Sequence, residues 1–262
     1  MFANCTNLID TPKFNLTIND VVNQTTGKLI FKTNIGSLYE SMFDGCSNLT
    51  TIYSFPPIYG KNCYKKMFKD CSSLTTTPAS FISDAMEPNA CLYMFQSCDS
   101  LTTAPALPST TLAEYCYQAM FYNCNSLVNA PALPATTLAE GCYSHMFIGC
   151  YSLRVLPALS ATVLPSKCYQ YMFANLHLDQ IASNRYIFMG TLKSSSVTGY
   201  NNEFTITATS AESDSLSYMF GASTEGNPYS NSGYSNFSAN YGFVDTPTIN
   251  TTYYLWNSIS QQ

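Results

Sequence analysis

Cys116-Tyr-Gln-Ala-Met-Phe-Tyr-Asn-Cys124-Asn-Ser-Leu127-Val-Asn-Ala-Pro-Ala-Leu133-Pro134-Ala-Thr-Thr-Leu138-Ala-Glu-Gly is followed at once by Cys142-Tyr-Ser-His-Met-Phe-Ile-Gly-Cys150, so the sequence starts over after 26 residues. Marking the Met-Phe pair of each copy gives Met1, Met42, Met67, Met94, Met120, Met146, Met172 and Met219. The intervals are 41, 25, 27, 26, 26, 26 and 47. Such a run of near-equal intervals marks a repeat array, with a period in the leucine-rich-repeat range of about 20–29 residues. A unit this short cannot bury its own apolar face, so units must stack and share one core. The two long intervals are one unit plus an insertion.

Working outward, the chain divides into one solenoid over 1–262: a partial repeat at 1–8, an insertion at 9–37, regular repeats over 38–176, a second insertion at 177–217, and a decayed repeat with a C-terminal cap at 218–262. In the first insertion, Lys13–Ile18 and Lys28–Thr33 flank Asn23-Gln-Thr-Thr-Gly27, which is turn chemistry, and predict a β-hairpin. In the second, Arg185–Leu192 and Glu203–Thr209 predict another hairpin. Within a regular unit, Leu follows the second Cys by three (Leu49, Leu74, Leu101, Leu127, Leu153) and leads into Thr102-Thr-Ala-Pro-Ala-Leu107-Pro108 or its equivalent. Proline forbids a helix interior there and suits a short strand edge or a turn. The stretch Leu112–Phe121 carries apolar residues at i, i+4, i+8 and i+9, which predicts one or two helical turns. The expected fold is an α/β repeat solenoid of about eight coils, each a short parallel strand and a short helix, rising about 40 Å at one strand spacing per coil. The chain opens in the middle of a unit, whereas a solenoid normally starts with a cap, which predicts a longer parent polypeptide.

At Phe-x-x-Cys-x-x-Leu, quoted as Phe43/Cys46/Leu49, Phe68/Cys71/Leu74, Phe95/Cys98/Leu101, Phe121/Cys124/Leu127 and Phe147/Cys150/Leu153, the sequence resembles the BspA-like, or Treponema pallidum-type, leucine-rich repeats. The resemblance covers 38–176 and the partial units at 1–8 and 216–223, with Met where that family usually has Ala before the Phe. It implies a surface protein of anaerobic bacteria. Similar arrays occur in phages of such bacteria.

Charged residues make up 10% of the chain against about 25% in an average protein, and the net charge is −5 with only 11 Lys and Arg. That excludes the basic face that nucleic acid demands. No apolar run approaches the roughly 18 residues of a membrane span. The surface is Ser, Thr, Asn and Tyr.

Eleven cysteines raise disulfides or metal. Pairing inside each motif (63/71, 91/98, 116/124, 142/150) and pairing across the strand segment (46/63, 71/91, 98/116, 124/142, 150/168) are both open; the second leaves only Cys5 alone. Leu replaces Cys at both classes of position, at Leu38 and Leu176, which suits free thiols acting as small buried hydrophobes in two ladders. The expected core ladder is Cys46, Cys71, Cys98, Cys124 and Cys150 with Phe43, Phe68, Phe95, Phe121, Phe147 and Phe173. Cys142, His145 and Cys150 imitate a zinc set, but His145 aligns with Lys66, Ala119 and Tyr171, and no fourth ligand is adjacent. His177 has no acid or nucleophile grouped with it.

No Gly-rich phosphate loop and no converging titratable groups appear, so the expectation is a non-enzyme with no metal and no cofactor. Binding is left, and a cell-surface recognition or adhesion module is the leading expectation, with protein or glycan as ligand. A phage tail or virion component and a structural spacer are the alternatives. Variation falls on Lys65, Lys66, Tyr93, Gln118, His145 and Tyr171 and on the insertions, where function usually sits. The candidate binding surface is Tyr200, Tyr229, Tyr234, Tyr241, Tyr253, Tyr254 and Trp256, because aromatic side chains offer contact area with a polar handle. The same rings would serve equally to cover the end of the core.

Overall fold

The computed structural model describes residues 2–11, 36–53, 60–78, 82, 86–153, 156–174, 187–190, 200–220 and 246–257. The first predicted hairpin, over 13–33, lies wholly outside them. Successive units lie one on the next in register. Tyr117 N–H donates to the carbonyl of Cys142 (3.0 Å), Ala119 to Ser144 (2.9 Å), Phe121 to Met146 (3.0 Å) and Asn123 to Ile148 (2.7 Å). The same ladder joins Phe68 to Met94 and Phe147 to Met172 at 2.9 Å.

Side chains repeat the register. A column of Phe rings runs through Phe2, Phe43, Phe68, Phe95, Phe121, Phe147, Phe173 and Phe220, with neighbouring centroids 5.4–5.8 Å apart. The column passes from Phe2 directly to Phe43 and from Phe173 directly to Phe220. Phe2 and Phe43, and Phe173 and Phe220, are therefore adjacent rungs despite the long sequence intervals between them.

The helix predicted over the motif does not form, and no helix occurs among the described residues. Every fourth residue has positive φ instead: Tyr115 (52°), Ala119 (51°) and Asn123 (57°) in one unit, and Gly141 (59°), His145 (59°) and Gly149 (70°) in the next. A left-handed residue at every fourth position breaks any i→i+4 ladder. Gln118, Met120 and Tyr122 bond back to the carbonyls of Tyr115, Tyr117 and Ala119 (3.2 Å each), while the odd-numbered N–H groups bond forward to the next unit. Left-handed backbone costs a non-glycine residue about 1–2 kcal/mol. One inter-unit hydrogen bond per second residue and a fully buried apolar pair per turn offset that. Apolar spacing of i, i+4, i+8 suits both a period of 3.6 and a period of 4, which is why the sequence pattern read as helix.

The strand half of each unit is also shorter than predicted. Among the described residues it narrows to isolated parallel bridges, Asp10 with Thr51, Thr103 with Asn129 and Thr111 with Thr137, and to one two-residue pair, β1 (Val163–Leu164) with β4 (Ser210–Ala211). Prolines and exposed threonines on this half leave little to pair. The second predicted hairpin is corrected too. Strands β2 (Ile187–Gly190) and β3 (Tyr200–Thr205) form, but β5 (Thr252–Asn257) lies between them in an antiparallel sheet of order β2-β5-β3. The C-terminal segment thus pairs with the insertion rather than closing the last unit by itself.

Candidate functional site

All eleven cysteines are free thiols, and all but Cys5 are buried. The second Cys of each unit makes one recurring contact. Its thiol donates to the carbonyl of the Phe one unit earlier: Cys46 to Phe2 (3.0 Å), Cys71 to Phe43 (3.2 Å), Cys98 to Phe68 (3.1 Å), Cys124 to Phe95 (3.1 Å) and Cys150 to Phe121 (3.0 Å). Each of these carbonyls also accepts the N–H three residues on, as Phe121 does from Cys124 (3.1 Å), so both lone pairs are filled. A weak donor on an apolar body is what such a position accommodates.

The other thiol row is interrupted. Cys91 N–H bonds to the carbonyl of Cys116 (2.8 Å), the contact that Tyr117 makes with Cys142 one unit later. Ala90 therefore stands where the first Cys belongs, and Cys91 stands in the tyrosine column between Tyr64 and Tyr117. The expectation of two regular thiol ladders is corrected at this unit. Burial pushes the Cys63, Cys142 and Cys150 thiols up to about 12 and raises Cys91, Cys98, Cys116 and Cys124 as well. These thiols are poor nucleophiles.

The outer surface of the motif half is built from its left-handed corners. Of the six variable positions, Lys66, Tyr93, His145 and Tyr171 have positive φ, while Lys65 and Gln118 do not. His145 sits with its ring 4.9 Å from that of Tyr171, and Tyr171 stacks on Tyr218 at 5.3 Å with 9° between the planes. Tyr218 is 51% exposed. Nδ1 of His145 is 2.5 Å from Oγ of Ser144. Beside this row, the Tyr115 ring lies across Gly141 and its hydroxyl donates to Glu140, which also takes Lys167 Nζ at 3.0 Å. Those two donors hold the Glu140 carboxyl below its ordinary range.

The sequence-predicted site residues fall differently. Tyr229, Tyr234 and Tyr241 lie outside the described residues. Tyr200, Tyr253, Tyr254 and Trp256 are on the three-stranded sheet, where the register sets Tyr200 opposite Trp256, Glu203 opposite Tyr254 and Phe204 opposite Tyr253. The stacked surface row ending at Tyr218 was not singled out as a row. The signal was present, since an aromatic or imidazole ring recurs at 145, 171 and 218 in the slot before the Met-Phe pair.

Cys142 and Cys150 point into the core while His145 is on a surface corner, so the apparent zinc set is not assembled. Among the described residues no three His, Cys, Asp or Glu side chains come together to hold a metal. No helix among them is long and apolar enough to cross a membrane. Comparison with protein-family models, with curated proteins and with solved structures finds no match to this chain.

Proposed function

We propose that the chain is a non-enzymatic recognition module, a leucine-rich-repeat solenoid of the BspA-like kind displayed on a bacterial surface, whose ligand is a protein or glycan. The observation that supports the reading is the row His145, Tyr171 and Tyr218, an aromatic stack that ends in a half-exposed tyrosine and is held on a main-chain ladder. Rigidly mounted aromatic rings lose little entropy on contact with a partner. The sheet bearing Tyr253, Tyr254 and Trp256 joins the chain to the same end of the stack, since Asn250 N–H bonds to the carbonyl of Ile206 (2.8 Å).

The test uses labelled full chain on a mammalian glycan array and on immobilised collagen and fibronectin. Binding to one of these, lost in Tyr218→Ser at an unchanged melting temperature, supports the reading. No binding to any probe favours the spacer.

A second reading is a phage tail or virion component that contacts bacteria. Eleven free thiols favour it, because a virion protein folds in a reducing cytoplasm where such thiols persist. Binding to whole gut or oral anaerobes, without binding to the host ligands, would select it.

A further inference from the structure

His145, Tyr171 and Tyr218 occupy the same corner of three successive units, and the main-chain ladder fixes them there. His145 N–H donates to the carbonyl of Gln170 (2.9 Å) and Tyr171 N–H to that of Ser217 (3.1 Å). Tyr171 has a ring on each side and is partly buried. Tyr218 stacks on Tyr171 alone, at 5.3 Å and 9°, and is 51% exposed. The row therefore ends in a bare ring face, held in place by the ring behind it.

The ladder changes chemistry at this face. Tyr218 N–H donates to Oγ1 of Thr246 (2.9 Å), whereas the equivalent N–H groups from Ser41 to Tyr171 meet a main-chain carbonyl. Thr246 is exposed and accepts that bond, so its own O–H is left to donate. Ser217, the residue before the ring, carries a second hydroxyl. The charges of this region are already paired. Asp214 accepts from Ser166 Oγ (2.9 Å) and from Lys167 N–H (3.3 Å), and Lys167 Nζ lies 3.0 Å from Glu140. The other described cations, Lys61, Lys65, Lys66 and Lys69, belong to a distant unit.

We propose that the outer face of Tyr218 is a stacking platform for an uncharged pyranose of a neutral glycan. The assignment rests on the recognition reading above and names the ligand class for the same row. A pyranose with axial C–H bonds has a flat face of weakly positive hydrogens, which matches the negative face of an aromatic ring. Its rim of hydroxyls needs donors and acceptors beside that ring, and Thr246 and Ser217 supply them. A ring already stacked from behind loses little freedom on contact. An acidic sugar or a phosphate ester would need a cation, and among the described residues none stands unpaired beside Tyr218.

The test is saturation-transfer difference NMR on the full chain with lactose, cellobiose, chitobiose and methyl α-mannoside, and with digalacturonic acid as the charged probe. Transfer to the ring C–H protons of at least one neutral sugar is expected. Tyr218→Ser should weaken that binding by about tenfold, the scale of one lost aromatic contact. Tyr218→Trp should keep it. Tyr93→Ser, in the same column but away from the bare face, should leave it unchanged. Circular dichroism checks that each variant is folded. No transfer to any neutral sugar overturns the proposal, as does equal binding by Tyr218→Ser or a preference for the acidic sugar. If collagen or fibronectin is bound through Tyr218 while no sugar is, the recognition reading stands and the sugar assignment fails.

Discussion

The two halves of each unit are built on different terms. The motif half, such as residues 115–124, places left-handed corners every fourth residue, buries Cys116, Tyr117, Met120, Phe121 and Cys124 at 0% exposure, and sends its main-chain inter-unit hydrogen bonds all one way along the stack, with only the Cys124 thiol reaching back. The Thr/Pro half, such as residues 128–138, buries Leu133 and Ala135, exposes Pro134, Thr136 and Thr137, and bonds in both directions, with Leu112 donating forward to Thr137 and Thr137 donating back to Thr110. In a β-sheet the peptide dipoles alternate and cancel. In the motif half the axial peptides are parallel and add, as in a helix. Specificity of stacking resides in the motif half, and the other half closes the loop between copies.

The largest separation of the halves should come from Phe121→Ala. The ring is fully buried between Phe95 and Phe147, so its removal should cost about 3–5 kcal/mol in urea unfolding. Thr137→Ala on the other half should stay within about 0.5 kcal/mol. Equal costs would break the comparison.

Alkaline pH should act next, and on the motif half. The folded-state thiol values are raised, so their contribution is whole below the ordinary thiol value of about 8.5 and is lost as pH rises toward the folded values. For Cys63, Cys142 and Cys150 those are about 12. Each thiol should then remove about 1.4 kcal/mol of stability per pH unit in that window. The urea midpoint should fall steeply from pH 9 to 10.5, and Cys150→Ala should flatten the slope. A flat profile would mean the thiols are solvated.

Gly141→Ala should be smaller, at about 1–2 kcal/mol for the left-handed φ, with an added clash because a Cβ there would lie 2.3 Å from the Tyr115 ring. Tyr115→Ala in the same chain should return the clash part, a non-additivity read from the double mutant. The smallest effect should be Tyr143→Phe. The Tyr143 hydroxyl is buried with no hydrogen-bond partner among the described residues, so the change should be neutral or slightly stabilising. A loss above about 1 kcal/mol would show that the hydroxyl is bonded.

The period and the core ladder of Phe and Cys were legible because an apolar side chain at a fixed interval has one place to go. The backbone of the motif was not. Its period of four differs from a helix by less than half a residue per turn, and the decisive clue was polar. The residue before each second Cys is Asn4, Gly45, Asp70, Ser97, Asn123 or Gly149, mostly types that tolerate left-handed backbone. Ala90 and Cys91 were misplaced because the Cys spacing of 91/98 is one short of that in its neighbours, and only the main-chain register distinguishes a thiol in the tyrosine column from one in its own row. The sheet order β2-β5-β3 was out of reach, since its middle strand begins 52 residues after the start of β3 and 65 after the start of β2.

The most direct test of a core packed by free thiols is an alkylation count by intact mass without reductant. The account predicts one modified cysteine, Cys5, in the native chain and all eleven in denaturant. A denatured count of three, as pairing inside each motif would leave, or of one, as pairing across the strand segment would leave, would contradict it.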